Sequence, residues 1–175
     1  MDTVPIPQLI TSVPGPQAQA IVRRSEQVVT PSLPRAYPLA VKRAYGVVVE
    51  DVDGNRYLDC AAGIAVCSTG HCHPRVVRAI HEQASRLIHI CGADFYDPMY
   101  IELAERLGRL GPGNTPKKVF LGNSGAEAVE AALKLARYHT GRSQVLAFLG
   151  AVHGRTMGAV SLTASSAKYR KDFRP

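Results

Sequence analysis

The sequence predicts an α/β protein in three parts: an N-terminal arm, a small strand-rich segment, and the start of a mostly parallel sheet layered with helices. Three observations carry this. Seven of the twelve prolines lie within the first 38 residues, which reads as an extended arm and not as core. Val47–Val49 and Arg56–Leu58 flank Asp51-Val52-Asp53-Gly54-Asn55, and Asp-Gly between such runs is a hairpin signal. Residues 117–149 then read strand, helix, strand, the βαβ unit whose strands run parallel with a right-handed crossover. A parallel sheet needs helices on both faces and more than two strands, so the sheet is incomplete in this chain.

Each element has a local reason. The arm, residues 1–38, is expected to hold one helix over about Gln17–Val29 and is free to wrap a neighbour. The small-domain strands occupy 39–75, where Gly63–Val66 could add a short strand. The larger domain begins at 76, close behind a helix that starts at Pro74. Val77, Ile80, Ala84, Leu87 and Ile88 recur at helical spacing, with Gly92 as the stop. Asp97-Pro98 is a cap and first helical residue, Leu103, Ala104, Leu107 and Leu110 form the apolar stripe, and Gly111-Pro112-Gly113 ends it. Lys117–Leu121 and Val145–Leu149 are the expected parallel strands, with a helix over Ala126–His139 between them.

Composition excludes several classes. An apolar fraction of 46 % and a charged fraction of 20 % are those of a folded domain. No run approaches the ~18 apolar residues of a membrane span. Met1–Ile10 carries Asp2, Pro5 and Pro7 without a basic-then-apolar pattern, so no secretory leader, no membrane partner and a cytoplasmic location are expected. Cys60, Cys67, Cys72 and Cys91 include no Cys-x-x-Cys pair and read as free thiols of a reducing compartment. The net charge of +7 is concentrated late: residues 134–175 hold eight basic side chains against Asp172 alone. Tyr169 and Phe173 interleave with the basic tail, but a solvated surface run accounts for it as well as nucleic acid does, and no nucleic-acid partner is expected.

Ser124-Gly125-Ala126-Glu127 matches the capping box. With Ser124 as cap, its hydroxyl takes the Glu127 amide and the Glu127 carboxylate is expected to reach back to the Ser124 amide. The amides of Gly125 and Ala126 are then unpaired at the positive end of a helix, and Gly125 has no side chain to obstruct a ligand. Two readings stand: an ordinary helix start, or a seat for phosphate. Position after a parallel strand favours the second. The loop is neither a P-loop nor a Gly-x-Gly-x-x-Gly turn. A hydrolase nucleophile elbow at Gly122-x-Ser124-x-Ala126 fails because His139 and His153 precede the only later acid, Asp172.

Gly150-Ala151-Val152-His153-Gly154-Arg155-Thr156 follows the second strand and so falls on the same sheet edge. Its Arg155 is either an exposed turn residue or a bidentate partner for a carboxylate. Gly70-His71-Cys72-His73-Pro74, even with Cys67, fits no zinc spacing, and no metal is expected.

Four stretches together resemble one family: Val49–Asp59, Gly63–Val66 through Gly70–Pro74, Asn123–Ala128, and His153–Thr156. In order and spacing, residues 35–175 resemble the N-terminal portion of the class III, pyridoxal-phosphate-dependent aminotransferases. These include 4-aminobutyrate, ornithine and acetylornithine aminotransferases. The resemblance implies the three-layer fold of PLP-dependent transferases. It also implies transamination between an amino-bearing carboxylic acid and a 2-oxo acid, and a homodimer of the full-length enzyme. It places Ser124, Gly125 and Ala126 at the cofactor phosphate, Val152 and His153 beside the cofactor, and Ile64 and Arg155 at the substrate. The residue before His153 is usually aromatic in this family and stacks on the pyridine ring; Val152 has no π face. The family's cofactor-holding lysine and its acid at the pyridine nitrogen follow the His-Gly-Arg-Thr stretch. None of lysines 42, 117, 118, 134, 168 and 171 matches that context. No catalytic residue is therefore assigned here, and the chain is expected to be an N-terminal fragment that does not transaminate alone. A non-catalytic module that binds phosphate or complements a second chain is the alternative.

Overall fold

The structure, a computed structural model, describes residues 6–171. They fall into two units that divide between Ile90 and Cys91.

The first unit is organised around a polar hairpin. Strands β1 (Val41–Tyr45), β2 (Val48–Asp51) and β3 (Arg56–Leu58) form an antiparallel sheet in that order, with Val49 opposite both Ala44 and Tyr57. The turn between β2 and β3 is the expected Asp-Gly turn. Its side chains do more than turn the chain: Asp51 and Asn55 are fully buried and Asp53 nearly so. Asp51 Oδ1 accepts the amides of Asp53 and Asn55, while Oδ2 accepts Asn55 Nδ2 and the Tyr57 hydroxyl at 2.9 Å. Burial pushes the Asp51 carboxyl up, but these four donors outweigh it and hold it below the usual carboxylate range. Burial, and then the adjoining Asp51 carboxylate, push the Tyr57 hydroxyl up to about 12.

Part of the arm folds onto this turn. Asn55 Oδ1 accepts the amides of Ile10 and Thr11, and Gln8 exchanges two backbone hydrogen bonds with Arg56. Helix α1 (Pro16–Val28) starts at Gly15, which has no capping side chain. Asp53 caps it from the turn, accepting the amides of Gln17 and Ala18 at 2.9 Å each.

The expected strand at Gly63–Val66 is replaced by a helical turn of opposite hand, α2 (Ala62–Ala65), with φ of 48°, 65°, 62° and 62° in succession. Left-handed backbone is disfavoured for L-residues, so the turn must be held from outside. Asp59 holds it: Oδ1 accepts the amides of Ala61 and Ala62, and Oδ2 lies 2.6 Å from His71 Nε2. His71 thus braces the turn through Asp59, and no group of three or more His, Cys, Asp or Glu placed to hold a metal ion occurs among the described residues. Helix α3 (Pro74–Ala84) starts as expected but ends before Leu87 and Ile88, which with Val76 and Ile80 line an open apolar groove.

The second unit contains α4 (Pro98–Leu110), capped by Asp97, α5 (Gly125–Thr140), α6 (Met157–Leu162) and a 3-10 turn over Ala167–Tyr169. The expected parallel strands do not form. Residues 117–121 and 142–149 carry no ladder, and Phe120, Leu146, Phe148 and Leu149 are exposed. The physical reason is the one that made the sheet incomplete: an apolar run becomes a parallel strand only between neighbours that satisfy its backbone. No described helix is long and apolar enough to cross a membrane.

Candidate functional site

The N-terminus of α5 is the centre of the candidate site. Ser124 has extended backbone, and its Oγ accepts the Glu127 amide at 3.2 Å. The other half of the capping box differs from expectation. The Glu127 carboxylate passes Ser124 and accepts the backbone amide and side-chain Nδ2 of Asn123, at 2.6 and 3.0 Å. The turn is thereby tied one residue further back. The amides of Gly125 and Ala126 find no acceptor among the described residues. A Cβ placed on Gly125 would meet nothing within 4 Å, so the helix start opens onto free space.

The Val152–Thr156 loop is seated on the same helix end. Gly154 has φ +133°, and a Cβ there would lie 2.8 Å from Ala126 Cβ and 3.1 Å from Ala126 Cα. The bare backbone of Gly154 therefore packs on the second residue of α5. Thr163 holds the loop from beneath. It is 2 % exposed, and its Oγ1 accepts the His153 amide at 3.0 Å and lies 3.1 Å from the carbonyls of Gly154 and Ala159. Val152 and Arg155 remain exposed, and Arg155 has no ion-pair partner among the described residues.

Glu130 was not legible in the sequence. One turn below Ala126 on α5, its Oε1 accepts the Thr156 hydroxyl at 2.6 Å and the amides of Gly158 and Ala159 at 2.9 and 3.2 Å. The Thr156 hydroxyl chiefly, and then the two amides, hold its carboxyl below the usual range against the cost of desolvation. No sequence signal pointed to it: Thr156 is itself an ordinary cap residue, but in the structure its hydroxyl donates to Glu130 and caps nothing on α6.

Six of the seven residues singled out from the sequence thus lie in the second unit, where Ser124, Gly125 and Ala126 adjoin the loop of Val152, His153 and Arg155. Ile64 belongs to the first unit, at the crest of the left-handed turn and 91 % exposed. Chemically, the second-unit assembly offers two free amides at a helix start for an anionic group, and beside it one exposed guanidinium for a second anion.

Comparison with known proteins gives the family. The family model described as aminotransferase class-III matches residues 31–175. A 4-aminobutyrate aminotransferase of Mycobacterium tuberculosis is 45 % identical over 168 residues, covering 96 % of this chain and 37 % of that protein. An alanine/serine racemase of Pyrococcus horikoshii is 35 % identical over 97 % of this chain and 36 % of its own length. Among solved structures, an ornithine aminotransferase from Toxoplasma gondii, described with partial occupancy of PLP at its active site, superposes with a TM-score of 0.76 at 28 % identity. That match covers 90 % of this chain and 38 % of that one. The chain therefore spans little more than a third of the length of these relatives.

Proposed function

The chain belongs to the class-III aminotransferases, and from that membership we propose that the protein carrying these residues transfers an amino group from an amino-bearing carboxylic acid to a 2-oxo acid with pyridoxal 5'-phosphate. The observation that carries the reading is the pair of free amides at Gly125 and Ala126, opening onto space beside a loop that presents an arginine. The residues fit the phosphate end of the cofactor. Two N–H groups aligned with the helix dipole favour a dianion, Ser124 and Glu127 fix the turn, and Gly125 leaves room for close approach. Val152 and His153 lie on the adjoining loop as an apolar wall and an imidazole.

When bound, the cofactor supplies an electron sink for bond-breaking at the amino-bearing carbon. This chain's contribution is binding and orientation. The helix start fixes the phosphate. Arg155 takes the substrate carboxylate through its planar fork. The complete protein is proposed to act as a homodimer, and residues 1–175 to supply binding groups without a catalytic lysine.

Two substitutions in the full-length protein test the reading. Gly125→Val places a branched side chain where the phosphate would sit, so retention of the cofactor through desalting should fall; unchanged retention would remove the cradle. Arg155→Ala should raise the KM for the acidic substrate about tenfold or more, the loss of one charge-assisted pair. An unchanged KM would remove Arg155 from that role. Recovery of the mirror-image amino acid without any 2-oxo acid would replace transamination with racemisation.

A further inference from the structure

We propose that Glu130 is a positioning residue that sets where Arg155 meets the substrate carboxylate, by locking the arginine loop to the helix that carries the phosphate seat. The inference rests on the reading of Arg155 given above and adds a residue to it.

Three features support it. Ala126 and Glu130 are four residues apart on α5, so they share one face of the helix. That face receives the loop at two points on either side of Arg155. Gly154 lies against Ala126, and Thr156 donates its hydroxyl to Glu130 Oε1 at 2.6 Å. The flanking residues are pinned and the residue between them is exposed, an arrangement that fixes a backbone while leaving one long side chain free to bind. Second, one carboxylate oxygen gathers the hydroxyl and two amides at the start of α6, which has no capping side chain of its own. A carboxylate accepting several donors at a helix start is a stiff joint. Third, the approach has been given room: a side chain at Gly158 would overlap the Glu130 carboxylate. Glu130 is itself an anion committed to three donors, so it is no partner for a substrate carboxylate. It acts through Arg155.

The test uses the full-length protein loaded with pyridoxal phosphate, and an unreactive dicarboxylate, glutarate, titrated by calorimetry alongside steady-state kinetics. Glu130→Gln and Thr156→Val should each weaken glutarate about tenfold and raise the KM for the 2-oxo acid, with kcat and cofactor retention changed far less. Thr156→Ser keeps the hydroxyl and should restore wild-type binding. In an Arg155→Ala background, neither Glu130→Gln nor Thr156→Val should cost anything further, because the group they position is gone. A merely structural role would give additive losses in that background, and that result overturns the proposal. If Arg155→Ala weakens glutarate but Glu130→Gln and Thr156→Val do not, the proposal falls and the reading of Arg155 stands. If Arg155→Ala has no effect, both fall. Should Glu130→Gln fail to fold, the Thr156→Val and Thr156→Ser pair decides alone.

Discussion

Replacing Gly154 by alanine adds one methyl group at the narrowest point of the site. That methyl would stand 2.8 Å from Ala126 Cβ, 3.0 Å from Ala159 Cβ and 3.1 Å from Ala126 Cα. Carbon atoms rest at about 3.5–4.0 Å, so loop and helix must part by about 1 Å. The backbone adds its own cost, since φ is +133° at this residue and a side chain there is strained by about 1–3 kcal/mol. Overpacking contributes a further cost of about 1–3 kcal/mol if nothing moves. Gly150 separates the two effects. It has φ +86° and nothing within 4 Å of a Cβ, so Gly150→Ala reports backbone strain without the contact. The assays are thermal denaturation and pyridoxal phosphate affinity, measured on both variants of the full-length protein. Gly150→Ala should lower Tm with affinity nearly intact. Gly154→Ala should lower Tm further, and affinity by up to about a hundredfold where the loop relieves the overlap by withdrawing from the seat. Two variants indistinguishable in affinity would refute the claim that the Gly154 contact shapes the site.

Two further outcomes concern the first unit. Asn55→Ala removes the acceptor for the Ile10 and Thr11 amides and one of the donors to buried Asp51. Each lost partner costs about 1–3 kcal/mol where the group stays buried. Limited proteolysis should therefore cut within residues 6–15 faster than in the unaltered protein, and an unchanged rate would show that the arm is held elsewhere. Asp59 is held below its usual range, chiefly by His71 and then by the amides of Ala61 and Ala62. A depressed carboxyl contributes stability that is present above its unfolded pKa and lost as pH falls through the folded value. Amide exchange at Ala65 and Val66 should accordingly gain protection loss below about pH 4. The acid sensitivity should be absent in Asp59→Asn; its persistence there would assign the effect to another group.

Where a signal was local, the sequence was enough. Asp97-Pro98 and Gly111 bound α4 at the expected residues, and α1 and α5 fall within a residue of expectation at either end. Ser124 caps α5 because its reach of three residues is contained in the motif. Apolar runs were less informative. Val145–Leu149 reads as a buried strand, yet a run states only that it needs cover, not that the cover is present. Gly63–Val66 is too short for periodicity to choose, and Asp59, which accepts amides two and three residues on, marks a turn without stating its hand. The arm's prolines argue against core, and the side chain that captures it, Asn55, lies more than forty residues away, beyond any local pattern.

Two joints among the described residues share a construction. Helices α1 and α6 both start without a capping side chain, at Gly15 and at Thr156. Each is capped by a carboxylate from a distant segment, Asp53 or Glu130. In both, a side chain on a glycine at the helix start, Gly15 or Gly158, would overlap the incoming carboxylate. At both starts the glycine leaves room for the incoming carboxylate, which takes amides that no local side chain takes. The acid's identity is not in the local motif, and the contact it makes is long-range. In the first unit that contact ties the arm to the hairpin. In the second it ties the arginine loop to the helix with the free amides. All the bonds that build this second joint lie within residues 123–163, none of them in a strand. The anion seat and its arginine loop are therefore held to one another by helix caps.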